Sequence, residues 1–452
     1  MSQLESPGRK KVLMETWGCQ MNVADSEDML HILETAHYER TDDPLAADVV
    51  VLNTCHIREK AKHKVLSRLG VLRDLEKDNP KLKVVVAGCV AQAEGVKLLK
   101  QAPNIDVLLG PGKLHELPHL LAKHDETNQP VHGLGFTGKT KQVMDQANAP
   151  LGDRNVISRF VTIAQGCDNF CTFCVVPTTR GREISRLPGD IVKECQQLID
   201  TGAKEITLLG QNVNSYGHDI AALEKGSESS FVRLLRQVAA LPDLERLRFT
   251  TSNPHDFTPC LARLFVTEPK LGKYIHLPVQ SGNNEVLSRM NRKVTVEEYL
   301  ERVSWLQQIP DFAISTDLIV GFPGETDEQF EGTLDLVSRV RFSFIYSFKY
   351  SPRKGTAAAR FRDSIPEKVK DARLKKLNAL QDQITIDENL KEIDRERRVL
   401  IQYRSKKESD VYYGKTDQFR LVRVPSSRDI VGRTVAVRMT DANKTGLSGQ
   451  LI

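Results

Sequence analysis

Three cysteines stand at CxxxCxxC spacing in Gly166-Cys-Asp-Asn-Phe-Cys-Thr-Phe-Cys174, in a loop that follows the strand-like run Phe160 to Ala164. Thiolates are soft metal ligands, and Cys167, Cys171 and Cys174 are near enough in sequence to serve one centre. A [4Fe-4S] cluster usually takes four cysteines, so three would leave one iron with an open coordination position for another ligand. A structural zinc site would need a fourth Cys or His, and none lies between Cys174 and Cys195. The remaining reading, three core cysteines meeting by chance, fits poorly with such clustering in a loop.

Three further cysteines share a different pattern. Cys19 in Thr16-Trp-Gly-Cys-Gln-Met-Asn22, Cys55 in Asn53-Thr-Cys-His-Ile-Arg58 and Cys89 in Ala87-Gly-Cys-Val-Ala91 each follow a strand-like run and precede a helix-like one. In a parallel sheet the strand ends lie on one edge, so the three could converge there, and the neighbouring helix N-termini would favour thiolates. An isolated cysteine is more often a small buried apolar residue. That bland reading suits Cys195 and Cys260, which fall in helical stretches among Ile191, Leu198, Leu261 and Leu264 and are expected in the core.

The elements that must position these residues divide the 452-residue chain into about three domains. Up to residue 127, the runs Lys11 to Glu15, Asp48 to Leu52 and Lys83 to Ala87 alternate with helical stretches, the pattern of a parallel α/β sheet. Residues 128–152, rich in Gly, Asn, Gln, Thr and Lys, read as a linker. Six candidate strands follow: Phe160 to Ala164, Glu205 to Leu209, Arg246 to Thr250, Tyr274 to Pro278, Ile314 to Val320 and Phe342 to Tyr350. Separated by helical stretches, they predict a full or partial β/α barrel over 153–386. A charged helical run from Ser364 to Leu400 leads into short strand-like runs, Val411 to Tyr413, Phe419 to Val424 and Arg433 to Met439, of a small all-β module, 387–452. The expected fold class is therefore α/β with a small all-β C-terminus.

Eight cysteines without a secretory h-region speak for reduced thiols and against a disulfide framework, and no apolar run is long enough to span a membrane. The expectation is a soluble, cytoplasmic protein that is not attached to a membrane. Net charge is only +5, yet Val399 to Ile452 carries ten Lys and Arg against five Asp and Glu, which hints at a polyanionic partner.

A CxxxCxxC loop after the first strand of a β/α barrel resembles the radical S-adenosylmethionine (SAM) superfamily. A second set of three cysteines ahead of it resembles the methylthiotransferase family within that superfamily, over nearly the whole chain. The segments that carry the resemblance are Gly18-Cys-Gln-Met-Asn22, Asn53-Thr-Cys-His-Ile-Arg-Glu-Lys60, Cys174-Val-Val-Pro-Thr-Thr-Arg-Gly-Arg-Glu183 and Gly210-Gln-Asn-Val-Asn-Ser-Tyr216. The pattern departs at His56, where the family often has a small residue, and at Thr178, where an aromatic is common; neither is an expected ligand.

The resemblance implies a radical SAM barrel, a C-terminal TRAM barrel that binds RNA, and two [4Fe-4S] clusters. Cys167, Cys171 and Cys174 would hold the cluster that binds SAM, and Cys19, Cys55 and Cys89 an auxiliary cluster holding the sulfur to be transferred. Gln211, Asn212, Gln280, Ser281, Gly321 and Glu325, at the ends of later barrel strands, would contact the cofactor. The implied reaction is methylthiolation of carbon 2 of a dimethylallyl-adenosine beside the tRNA anticodon, at position 37. One SAM would give the methyl group and a second the 5′-deoxyadenosyl radical, since an unactivated C–H bond offers no acidic proton. An electron donor of flavodoxin or ferredoxin type would be required, and the enzyme is expected to be a monomer.

Arg180 and Arg182, just beyond the cysteine loop, could reach phosphate-like groups, or Arg182 could pair with the neighbours of Glu183. Tyr412, Tyr413, Lys415, Arg420 and Arg423 are candidates for RNA contact. Two competing targets belong to the same family, a threonylcarbamoyl-adenosine in tRNA and a ribosomal protein aspartate; the basic tail disfavours the second. A different class, an iron–sulfur RNA-binding or sensor protein without catalysis, is disfavoured by the barrel motifs.

Overall fold

A computed structural model describes residues 9–56, 59–136, 156–223 and 228–452. The chain forms two compact units, one of Met1–Gly152 with Gln165–Asp168 and Val175–Arg186, the other of the remainder. The domains expected from sequence are contiguous, whereas the first unit takes in two short segments from either side of the cysteine loop.

The first unit is built on β1 (Lys10–Trp17), β2 (Tyr38–Arg40), β3 (Val49–Thr54), β4 (Lys83–Gly88), β5 (Val107–Leu109) and β6 (Val131–Gly133). They form one parallel sheet in the order β2-β1-β3-β4-β5-β6. Between them run α1 (Gln20–Thr35), α2 (Glu59–Asp78), α3 (Cys89–Glu94), α4 (Lys97–Gln101) and α5 (Leu117–Thr127). Both sheet faces are covered, which is why β3 and β4 read as unbroken apolar runs. Val50, Leu52, Val84 and Val86 pack into one core, while Val49, Val51 and Val85 pack into another. β6 lies inside the stretch expected to be a linker and closes an edge of the sheet; it was hidden because a three-residue strand shows no periodicity. The rest of that stretch, from 137 on, lies outside the described residues.

In the second unit the barrel strands are β7 (Ser158–Thr162), β10 (Glu205–Leu209), β11 (Arg246–Thr250), β12 (Tyr274–His276), β13 (Ala313–Val320) and β14 (Phe344–Lys349); of the two short strands that flank the cysteine loop, β8 (Ala164–Gln165) begins in this unit and β9 (Ile184–Ser185) belongs to the first. The barrel strands pair in parallel as β7-β10-β11 and β12-β13-β14, and a bridge between Leu247 and Leu271 joins the two sets. This is the partial barrel. After the loop come α6 (Val176–Thr179), which belongs to the first unit, and then, in the second, α7 (Pro188–Asp200), α8 (Ser230–Ala239), α9 (Pro259–Thr267), α10 (Asn284–Arg289), α11 (Val296–Gln307), α12 (Asp327–Val340) and α13 (Glu367–Leu390). One continuous core of Val161, Ile206, Leu208, Leu247, Ile275 and Leu318 with the inner faces of α7, α8 and α12 holds the barrel together.

The helical run expected up to Leu400 stops at Leu390, and 396–404 is instead a strand, β15 (Glu396–Arg404). Asp394 adopts a left-handed φ of 65° that ends the helical path, and Val399 and Ile401 turn into the small barrel's core. With β16 (Val411–Thr416), β17 (Leu421–Pro425), β18 (Thr434–Asn443) and β19 (Gly446–Leu451), β15 closes a five-stranded barrel, as the TRAM resemblance implies. The expected boundary at 386/387 falls within α13. Among the described residues, no helix is long and apolar enough to cross a membrane.

The small barrel is fastened to the larger one by charge. Glu205, Arg246 and Arg248 are all buried; Arg248 Nε lies 2.9 Å from the Glu205 carboxylate and Arg246 Nη2 2.8 Å from Asp417. The two arginines also donate to the backbone carbonyls of Lys415, Thr416 and Asp417.

Candidate active site

In the sheet of the first unit the strand order reverses at β1 and β3, and open α/β sheets bind ligands beyond the strand C-termini at such a reversal. Cys19 follows β1, Cys55 follows β3 and Cys89 opens α3 directly after β4, so all three emerge at that edge on adjacent strands. Glycines make room: a Cβ on Gly18 would collide with Asn22 and Cys55, and Gly88, at φ 86°, has no space beside Asn53 and Thr54. Asn22 Oδ1 accepts from the Cys19 thiol at 3.4 Å, Asn22 Nδ2 donates to Asn53 Oδ1 at 3.1 Å, and Asn53 Nδ2 donates to Ser26 Oγ at 2.9 Å.

Arg180 enters this cluster. Its guanidinium is 2.6 Å from the Asp25 carboxylate, with both side chains almost wholly buried, and it faces Cys19 and Cys89 electrostatically. Burial works against its charge, but Asp25 and Cys89 outweigh that cost and raise the guanidinium well above its ordinary value. A hydrogen bond with Cys55 brings the Cys19 thiol down to about 6 against the effect of burial, and Arg180 adds to the lowering. Burial pushes Cys89 up, with Arg180 opposing. Arg180 is therefore turned to the N-terminal cysteines and not outward to a phosphate. Arg182 makes a two-pronged contact with Asp168, at 2.5 and 3.0 Å.

The CxxxCxxC loop is held at both ends. In the first unit, Cys167 N donates to Gly181 O at 3.3 Å. In the second, Cys174 N donates to Cys171 O at 3.0 Å, a β-turn that brings the two residues to its base. Thr172 N and Oγ1 donate to Met290 O and Arg289 O at 3.0 and 2.9 Å, and Ala358 N donates to Thr172 O at 2.8 Å. Arg292 Nη1 approaches Cys171 Sγ at 3.5 Å.

No three His, Cys, Asp or Glu side chains among the described residues are arranged to hold a single metal ion. The corners of an iron–sulfur cube stand farther apart than the ligands of one ion. Each set of three thiols fits such a cube chemically, with a guanidinium beside it to offset thiolate charge: Arg180 in the first unit, Arg292 at Cys171 in the second.

Gln211 and Asn212 follow β10, Gln280 and Ser281 follow β12, and Gly321 follows β13, so the parallel strands bring these residues to the same edge. Several are engaged within the protein. Asn212 Nδ2 donates to Asp256 at 2.7 Å, and Ser281 Oγ accepts from Asn283 N at 3.3 Å. Glu325 Oε2 accepts from Gly321 N at 2.6 Å and from Arg373 at 2.8 Å, so it closes the turn after β13. Burial raises the Glu325 carboxyl despite Arg373.

Sequence reasoning passed over Ser252, buried just past β11, whose Oγ has no hydrogen-bond partner among the described residues. It also missed Asp25 and Arg292. Asn22, Asp25 and Ser26, spaced i, i+3, i+4, form a polar buried face on α1, a signal the sequence does contain. Cys195 is buried as expected; Cys260 is exposed, because it lies in the first turn of α9, off the face formed by Leu261, Leu264 and Phe265.

Of the tail candidates, Tyr412 is buried in the small barrel and Lys415 lies over the Phe419 ring, its ammonium lowered to about 8 chiefly by burial. Arg420 is turned to Asn389. Arg423 pairs with Glu408 at 2.7 Å on the surface, and Tyr413 stacks on exposed Tyr403 with ring centroids 5.5 Å apart.

Residues 11–110 match the model of the Uncharacterized protein family UPF0004, and 161–337 match that of the Radical SAM superfamily. A tRNA-2-methylthio-N(6)-dimethylallyladenosine synthase of Moorella thermoacetica is 43% identical over 448 residues, which cover 98% of this chain and 99% of that one. The synthase of Geotalea uraniireducens is also 43% identical, over 98% and 99% of the two chains. Among solved structures, the radical S-adenosylmethionine methyltransferase TsrM of Kitasatospora setae, with cobalamin and a [4Fe-4S] cluster bound, shares the fold at a TM-score of 0.56, 16% identity and 77% coverage of each chain. At such identity over nearly its full length, the chain belongs to the tRNA-2-methylthio-N(6)-dimethylallyladenosine synthase family of radical SAM enzymes.

Proposed function

We propose that this enzyme methylthiolates carbon 2 of a dimethylallyl-adenosine at tRNA position 37, consuming two SAM molecules, one as methyl donor and one as radical source. The observation that carries the reading is the arrival of Cys19, Cys55 and Cys89 at adjacent strand ends around a buried Arg180, in a chain that also holds a radical-type cysteine loop.

In this reading residues 10–127 form the methylthiotransferase domain, 153–386 the radical core and 387–452 the RNA-binding module. Cys167, Cys171 and Cys174 would hold the cluster that binds SAM, and the N-terminal cysteines an auxiliary [4Fe-4S] cluster. When bound, the first supplies the electron that releases the 5′-deoxyadenosyl radical. The chain itself positions the parts. Thr172 and Ala358 fix the loop backbone, Arg180 and Arg292 offset thiolate charge, and Gln211, Asn212, Gln280, Ser281, Gly321 and Glu325 shape the strand edge for the cofactor. Electrons come from a flavodoxin- or ferredoxin-type donor, and the enzyme works in the cytoplasm as a monomer.

Iron and sulfide analysis with Mössbauer spectra tests this on anaerobically reconstituted protein, wild type against a Cys167, Cys171, Cys174 triple Ala variant. Two clusters give about eight iron, falling to about four. Four iron in the wild type, all lost in the variant, would remove the sulfur-transfer step. Mass analysis of tRNA nucleosides and ribosomal proteins from a deletion strain then identifies the target; loss of methylthiolation from protein alone would overturn the tRNA assignment.

A further inference from the structure

Arg292 lies just past α10, whose C-terminus is closed by Asn291 at a left-handed φ of 55° and by a bond from Arg292 N back to Leu287 O at 2.9 Å. That turn delivers two successive side chains to the cysteine loop. Asn291 Nδ2 donates to Phe170 O at 3.0 Å, gripping the backbone just before Cys171. Arg292 Nη2 donates to Pro278 O at 2.6 Å, beyond the end of β12, while Nη1 points at Cys171 Sγ, 3.5 Å away. The guanidinium is thus braced on a backbone carbonyl and presents an N–H to one sulfur. A side chain serving only to pack would need neither the brace nor the sulfur contact.

We propose that Arg292 is a positioning residue that sets the reduction potential of the iron–sulfur cluster held by Cys167, Cys171 and Cys174. The inference rests on the reading that Cys171 ligates that cluster. One electron, from a low-potential one-electron donor, reduces the cluster, makes it one unit more negative and transfers no proton. A hydrogen bond from a cation strengthens as its acceptor gains negative charge, so Arg292 holds the reduced form more tightly than the oxidised form and raises the potential. The rigid fork of the guanidinium is what allows one residue to hold the Pro278 carbonyl and aim at the sulfur together.

The test is an EPR-monitored redox titration of the full reconstituted chain, following the reduced signal that changes on addition of SAM, for wild type, Arg292→Gln and Arg292→Lys. In Arg292→Gln, with iron and sulfide unchanged, the reduced-to-oxidised ratio at a fixed potential should fall about tenfold, or ~59 mV for a one-electron couple. Arg292→Lys, which keeps the charge but not the fork, should fall between the two. Full iron with an unshifted potential in Arg292→Gln overturns the inference and leaves the cluster assignment standing. If Arg292→Gln cannot hold iron, Arg292→Lys decides: a lowered potential supports the inference, and one equal to wild type overturns it. A wild type that yields no SAM-responsive signal overturns the cluster reading and this inference with it.

Discussion

Arg180 is separated by 155 residues from Asp25, yet the two share an ion pair from which water is almost wholly excluded. Removing one member of such a pair leaves the other charge buried and uncompensated, at a cost of about 3–5 kcal/mol. Arg180→Gln should therefore lower the denaturant midpoint of the first unit and reduce the iron retained by a Cys167, Cys171, Cys174 triple Ala background. A midpoint and iron content equal to those of the parent would show that the pair is dispensable. That Cys19, Cys55 and Cys89 emerge at one sheet edge was legible from sequence, because the three recur in one local context after strand-like runs. The role of Arg180 was not: just beyond the cysteine loop it read as a candidate for phosphate-like groups, and only the folded chain brings Asp25 and Cys89 to it.

Secondary elements were legible where both faces or an alternating face were apolar. β3 and β4, sandwiched between two cores, announce themselves as Val-rich runs, whereas β15 begins Glu396-Arg-Arg398 and looks like a continuation of the charged helix before it. Its strand character comes from pairing with β16 and β18, which local propensity cannot convey. The turn from β4 into α3 offers a test of how the edge is built. Gly88→Ala places a Cβ against Asn53 and Thr54 at a φ that only glycine adopts freely, so it should destabilise by more than about 1 kcal/mol. Circular dichroism melts of wild type and variant would check it; an unchanged melt would mean the turn relaxes without loss.

At the scale of the second unit, the junction of the two barrels makes stability depend on acid. Burial would raise the Glu205 carboxyl, but Arg248 and Arg246 overcome it and hold the group near 2, below its ordinary 4.5. A depressed carboxylate contributes fully above the unfolded value, so this contribution should persist above about pH 4.5 and drain away as pH falls toward 2. Urea midpoints of Glu205→Gln should be lower than wild type at pH 7, with the gap narrowing in that acid window; a gap independent of pH would refute the assignment. On the outer face of the small barrel, the Tyr403–Tyr413 stack leaves an exposed aromatic ring on which a base can stack. Base–aromatic stacking is worth about 1–3 kcal/mol, so Tyr403→Ala should weaken binding of an anticodon stem-loop accordingly in a filter assay, and unchanged binding would place the RNA elsewhere.

The same junction has a kinetic consequence. Because Arg246 and Arg248 are tied through their side chains to the carbonyls of Lys415, Thr416 and Asp417, the turn between β16 and β17 cannot lift away without stranding two buried cations beside Glu205. The C-terminal barrel and the middle of the large barrel should then open as one cooperative block, so that amides of β11 and of the 415–419 turn exchange with deuterium at a common rate.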